Sequence, residues 1–135
     1  MRVLVVEPGI LPYEKEINGL KEMQAVVGGP ITAIYPWGDR AAIVCNDESL
    51  LLNLPFNRSV EGGYGGVFGT FFVCGLGEED FRSLTPEQIG RYKKEFHCAE
   101  LPLVINGRFQ TIKVRPMKKP QKAAPSRERP PDPER

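Results

Sequence analysis

Between residues 31 and 77 the chain holds three short apolar runs rich in β-branched and aromatic side chains. They are Ile31-Thr32-Ala33-Ile34-Tyr35, Ala41-Ala42-Ile43-Val44-Cys45 and Phe71-Phe72-Val73-Cys74. Runs of this length, bounded by Pro, Gly and Asn, read as β-strands. Within and after them lie polar groups that a core has to accommodate: Asn46, Asn57, Arg58 and Thr70. The expectation is a small sheet with a polar cluster at one end.

The flanking sequence adds helices and hairpins around that sheet. Val3-Leu4-Val5-Val6 is an unbroken apolar run, as expected of a strand covered on both faces, and Pro8-Gly9 ends it. Residues 13–17 alternate polar and apolar, as a half-buried strand does. Asn18 is placed to cap a helix over Gly19–Val27, whose Leu20, Met23 and Val27 share one face, and Gly28-Gly29-Pro30 stops it. Pro36-Trp37-Gly38-Asp39 reads as a turn within a hairpin. Pro55 excludes helix from residues 53–58, which read as irregular, and residues 61–66 form a glycine-rich loop. Residues 67–74 read as one last strong strand, followed by a solvated Glu78-Glu79-Asp80. Thr85-Pro86-Glu87-Gln88 is a capping-box start for a helix to about His97. Residues 101–105 and 108–114 flank Asn106-Gly107, a strong hairpin signal.

The resulting order is β-β-α-β-β-(loop)-β-α-β-β. It predicts an α+β fold: a small mixed or mostly antiparallel sheet, two helices packed on one face, and a C-terminal hairpin. Residues 1–114 are expected to form one domain. Six of the 13 prolines fall in the last 20 residues, so residues 115–135 read as a disordered basic tail. From Arg115 onward seven basic residues face three acidic ones. That surplus of four, set against the overall charge of +1, leaves the preceding body three negative. An acidic body argues against nucleic-acid binding by the fold, while the tail can add a weak, salt-sensitive contact. No apolar run approaches the ~18 residues of a membrane span. The N-terminus lacks the pattern of a signal peptide, and three cysteines without a pairing motif suit a reducing interior. The expected location is the cytoplasm.

Most catalytic chemistries find little support. Cys45, Cys74, His97 and Cys98 lack the paired short spacing of a zinc site. His97 is the only histidine, so a Cys–His or Ser–His–Asp arrangement has one centre and nothing marks it. The glycine-rich loop has Phe68 where a dinucleotide fingerprint needs glycine, and a strand follows it where a helix should. The polar cluster is the stronger lead. Arg58 presents a fixed fork of donors suited to phosphate. Asn46, Asn57 and Thr70 offer polar edges, and Tyr35, Trp37 and Tyr64 are loop-near aromatics suited to stacking. The alternative is that these groups satisfy the backbone of the long 46–66 connection.

Several of these stretches, in this order, resemble the domain-of-unknown-function family 3846. They are residues 1–8, Val27-Gly28-Gly29 through Tyr35-Pro36, Val44-Cys45-Asn46, Leu54-Pro55-Phe56-Asn57-Arg58 and Gly69-Thr70-Phe71-Phe72-Val73-Cys74-Gly75-Leu76. The resemblance runs from Met1 to about Phe96, and the Asn106-Gly107 hairpin and the tail lie beyond it. It implies a setting among the accessory genes of bacteriophages and other mobile elements, and no activity. By analogy of setting, the leading expectation is a non-enzymatic protein that counters host defence by sequestering a nucleotide-derived signal. It would bind with Tyr35, Trp37, Asn46, Asn57, Arg58 and Thr70, as a homo-oligomer, without a cofactor or metal. The alternatives are an inhibitor docking directly on a host defence protein, and a small nucleotide-cleaving enzyme using His97 or Glu61 as base.

Overall fold

The computed structural model describes residues 1–60 and 65–120. The expected roles of Glu61, Gly62, Gly63 and Tyr64 fall outside the described residues, as do those of residues 121–135. The architecture is α+β, as the sequence predicts. A central sheet holds β1 (Arg2–Val6), β2 (Tyr13–Glu16), β3 (Ile31–Ile34), β4 (Ala41–Asn46) and β7 (Phe71–Leu76), in the order β2-β1-β7-β4-β3. Every ladder in it is antiparallel, and the short β8 (Phe81–Arg82) pairs with the end of β7. Two hairpins stand beside it: β5 (Phe56–Val60) with β6 (Gly65–Phe68), and β9 (Ala99–Ile105) with β10 (Arg108–Val114).

The helices α1 (Gly19–Val27) and α2 (Pro86–Glu95) correct one expectation, for they pack on opposite faces of the sheet. Successive strand residues point to opposite faces, so each apolar run feeds two cores. Leu4, Val6, Ile43, Phe71 and Val73 meet Tyr92 and Phe96 at α2, together with Val60 and Val67 of the β5–β6 hairpin. Val3, Val5, Val44, Phe72 and Cys74 meet Ile17 and Val27, with Met23 and Val26 of α1 packed against them. Runs with no polar alternation require cover on both sides, and one helix per face supplies it.

Local signals set most boundaries. At α2, Thr85 Oγ1 accepts from Gln88 N at 3.1 Å and Gln88 Oε1 accepts from Thr85 N at 3.0 Å, the expected capping box. Asn18 holds the position before α1, but its side chain accepts from the Met1 amino group at 3.0 Å instead of capping the helix. Glu22 reaches back to Asn18 N at 2.6 Å and closes that end. Asn106 and Gly107 both adopt positive φ, 52° and 77°, as a two-residue hairpin loop demands.

Two segments depart from the sequence reading. The expected single strand over 67–74 is broken into β6 and β7 at Gly69, whose φ is +81°. A Cβ there would lie 2.6 Å from the side chain of Leu54. The segment read as irregular contains β5, which pairs Phe56 with Phe68 and Arg58 with Val67, leaving Asn57 as the extra residue of a bulge. Residues 115–120, expected to begin the free tail, lie against the body. Met117 N donates to Gly9 O at 2.9 Å, and Lys119 Nζ meets Glu7 at 2.6 Å.

Candidate functional site

The bulge in β5 decides what the leading candidates do. In a regular strand Asn57 and Arg58 would face opposite ways, but the bulge turns both inward and buries them. All of the guanidinium donors find partners. Arg58 Nε and Nη2 donate to Phe96 O at 3.3 and 3.1 Å, and Nη2 also reaches Ile10 O at 2.9 Å. Arg58 Nη1 donates to Asn57 Oδ1 at 2.7 Å and to the carbonyls of Asn57 and Glu7 at 3.3 and 3.4 Å. Asn57 Nδ2 in turn donates to Val6 O and Gly69 O, both at 2.8 Å. The pair is a clip that fastens the end of β1, the β6–β7 break and the C-terminal end of α2. Phe96 O closes that helix, where the negative end of the backbone dipole favours a cation.

Burial pulls the Arg58 guanidinium below its ordinary value, and the Glu100 carboxylate opposes that shift. Nothing in the sequence marks Glu100. It is buried, and its Oε1 accepts from Ser59 N at 3.1 Å and Ser59 Oγ at 2.7 Å. A hollow of ≈ 210 Å³ lies beside this region, walled by Ser59, Phe96, Glu95, Glu100 and Lys113 but not by Arg58. Its two carboxylates make it a poor seat for phosphate.

The other candidates are spread over the molecule. Asn46 serves the far core: Nδ2 donates to Val27 O at 3.1 Å, at the end of α1, and Oδ1 accepts from Glu48 N at 2.7 Å. Trp37 is packed rather than free to stack. Its ring lies 4.3 Å from that of Tyr92 and 6.1 Å from that of Phe96, and Nε1 donates to Glu95 at 3.1 Å. The same turn is pinned by Asp39, which accepts from Tyr92 Oη and from Arg91, each at 2.7 Å. The Tyr92 bond, helped by Gln88 and Arg91 and opposed by burial, holds the Asp39 carboxyl below its usual range. Tyr35 is 54% exposed and borders a hollow of ≈ 270 Å³ with Glu78, Glu79 and Asp80. Thr70 borders a different one with Pro8, Leu54 and Pro55. None of these hollows is lined by two of the six candidates, so the structure does not gather them into one site.

What the structure does assemble is an apolar groove of ≈ 450 Å³. Its walls are Ile34, Cys45, Phe56, Val67, Phe68 and Phe109, with Ser49 and Leu50 at the rim. Phe56 makes edge-on contacts with Phe68 and Phe109, at centroid distances of 5.4 and 5.7 Å. Leu50 is 71% exposed and Phe109 58%, and Leu51 stands open beside them. Volume and lining match those of sites that take an apolar ligand or side chain. The sequence signal for it is Leu50-Leu51-Leu52: an apolar triplet in a connection that reads as a loop or a short helical turn, and all three side chains are exposed.

Among the described residues no group of three or more His, Cys, Asp or Glu is placed to hold a metal ion. No described helix is long and apolar enough to cross a membrane. No curated protein and no solved structure matches the chain. A family model does match, over residues 1–97, and it covers both cores, the Arg58 clip and every groove residue except Phe109; the chain belongs to the family described as domain of unknown function DUF3846.

Proposed function

We propose that this chain is a binding protein whose working surface is the apolar groove between β6, β10 and the turn after β4, and that its target is another protein. One observation carries the reading. A ≈ 450 Å³ apolar hollow is left open and ringed by exposed Leu50 and Phe109 in a molecule that fully buries Asn57 and Arg58. Exposed apolar surface of this kind costs solubility and is kept where a partner covers it. The setting implied by the family resemblance makes a host defence protein the class of partner, with its inhibition as the effect. Protein docking is favoured over sequestration of a nucleotide signal because Arg58, the expected phosphate ligand, has its donors filled by carbonyl oxygens.

The test is a defended bacterial host expressing the chain, followed by native mass spectrometry of the purified protein. The reading expects lowered defence and a stoichiometric protein partner, both abolished by Phe109→Asp with little change in melting temperature. Defence that stays lowered in the Phe109→Asp and Leu50→Asp variants would show that the groove is not the working surface. Calorimetry with cyclic and ADP-ribose-type nucleotides is the counter-experiment. Heat that survives Phe109→Asp would return the nucleotide reading to first place.

A further inference from the structure

We infer that the partner engages the molecule by adding a β-strand to the open edge of β10, and that the strand it supplies is apolar and acidic. This rests on the reading of the groove as a docking surface and adds the backbone edge beside it. β9 and β10 form a two-stranded sheet of their own, and no described strand pairs with the outer side of β10. The other side of β9 lies against β5, where Glu100 accepts from Ser59. Ile105 and Arg108 pair across the two-residue turn and so exchange hydrogen bonds. The alternation of the ladder then turns the amides and carbonyls of Gln110 and Ile112 toward β9, and those of Phe109, Thr111 and Lys113 outward. Pro102, which has no N–H, lies opposite Thr111, where that ladder asks for none. A two-stranded ribbon is marginal alone and gains from a third strand.

The open edge and the groove share a residue. Phe109, Thr111 and Lys113 lie on one face of β10, the face that sets the Phe109 ring against Phe56 at the groove wall. An added strand brings every second side chain to that face, and the one opposite Phe109 meets its exposed ring. Backbone hydrogen bonds then supply affinity, and the groove selects the side chain. Charge identifies the partner. From Leu101 to Lys119 the chain carries Arg108, Lys113, Arg115, Lys118 and Lys119 and no acid, on a body that is otherwise negative. Among the described residues only Lys119 of these five forms an ion pair. Lys113 lies opposite Glu100, whose carboxylate is taken up by Ser59. Two copies paired along β10 would crowd Arg108, Lys113 and Arg115 on one ladder, whereas an acidic strand neutralises them. A nucleic acid would meet the cations and leave the outward carbonyls and the groove unused. The fitting segment is extended, with an apolar residue opposite Phe109 and an acid four positions away, opposite Lys113.

The test pans a displayed library of short random peptides against the full chain and follows amide exchange by NMR. Enriched peptides should alternate apolar and acidic residues. In the free protein the amides of Phe109, Thr111 and Lys113 should exchange faster than those of Gln110 and Ile112. An enriched peptide should protect the first three and leave the other two as they were. Thr111→Pro removes one outward amide at an edge that tolerates proline, so the melting temperature should hold. Peptide affinity should fall at least about tenfold, the worth of one hydrogen bond and the carbonyl it leaves unmet. The same peptide N-methylated at alternate amides should fail on the unaltered protein. A library that enriches nothing, or peptides that bind Thr111→Pro or bind N-methylated as well as before, overturn the proposal. Protection of the three amides in the protein alone, lost on dilution, assigns the edge to a second copy and overturns it equally. So does a poly-uridine RNA that protects them where peptides do not. If the host partner is lost in Phe109→Asp but kept in Thr111→Pro, the groove stands and the added strand falls. If Phe109→Asp keeps it too, the docking surface itself falls.

Discussion

The clip at Arg58 and the groove at Phe109 are neighbours, joined through β5, and they invert what polarity suggests. The clip carries a guanidinium and an amide, the usual vocabulary of ligand recognition, and hides both. Its donors meet backbone carbonyls from Glu7, Ile10 and Phe96. The groove has almost no polar chemistry and stays open. A buried polar group is costly unless every donor is met, so a fully met cluster is a fastening and has nothing left for a ligand. An open apolar wall is the reverse, because its favourable free energy is realised only when something covers it.

The largest expected effect breaks the clip. Arg58→Met should orphan the carbonyls of Phe96, Ile10 and Glu7 in the interior and cost about 3–5 kcal/mol, a large share of a small domain's stability. Urea denaturation checks this. A loss below about 1 kcal/mol would mean that the clip holds nothing, and would reopen Arg58 as a ligand. Asn46→Ala comes next at about 1–2 kcal/mol, since it frees one helix-end carbonyl and one turn amide, those of Val27 and Glu48. Because Asn46 and Arg58 serve opposite cores, the two losses should add in the double variant. Marked non-additivity would show that the two cores are coupled.

Phe109→Asp should cost no more than about 1 kcal/mol, the worth of one edge-on ring contact at an exposed site, while abolishing docking. A large loss of stability would turn the groove into core and remove the contrast with the clip. The smallest effect concerns the anchor of the tail. Burial of the Glu7 carboxyl opposes ionisation, but hydrogen bonds from Lys119 and Tyr13 and the charges of Lys119 and Lys15 together outweigh it and hold the group below its ordinary value of 4.5. A carboxylate lowered on folding contributes stability that is present above its unfolded value and lost as pH falls through the folded one. Acidification below about pH 4.5 should therefore cost the wild type more than Glu7→Gln. With the ion pair part-exposed, the difference should stay under about 1 kcal/mol. Melting curves from neutral to acid pH check the sign.

Features that depend on neighbours in sequence were legible in the chain. The stop at Gly28, the capping box at Thr85 and Gln88, the turn at Asn106-Gly107 and the two-sided burial of Val3-Leu4-Val5-Val6 each follow from contacts within a few residues or from a period of two. Asn57 and Arg58 are legible in the sequence as groups a core has to accommodate, and both are buried. Their direction was hidden, because it depends on a bulge whose register exists only once β5 meets β6. Tertiary structure alone put one helix on each face, since a run that is apolar throughout records that it is buried and not by which helix. It alone built the groove too, from walls as far apart in sequence as Ile34 and Phe109. Local sequence fixes what each segment is; only packing between distant segments decides which side chains remain free to bind.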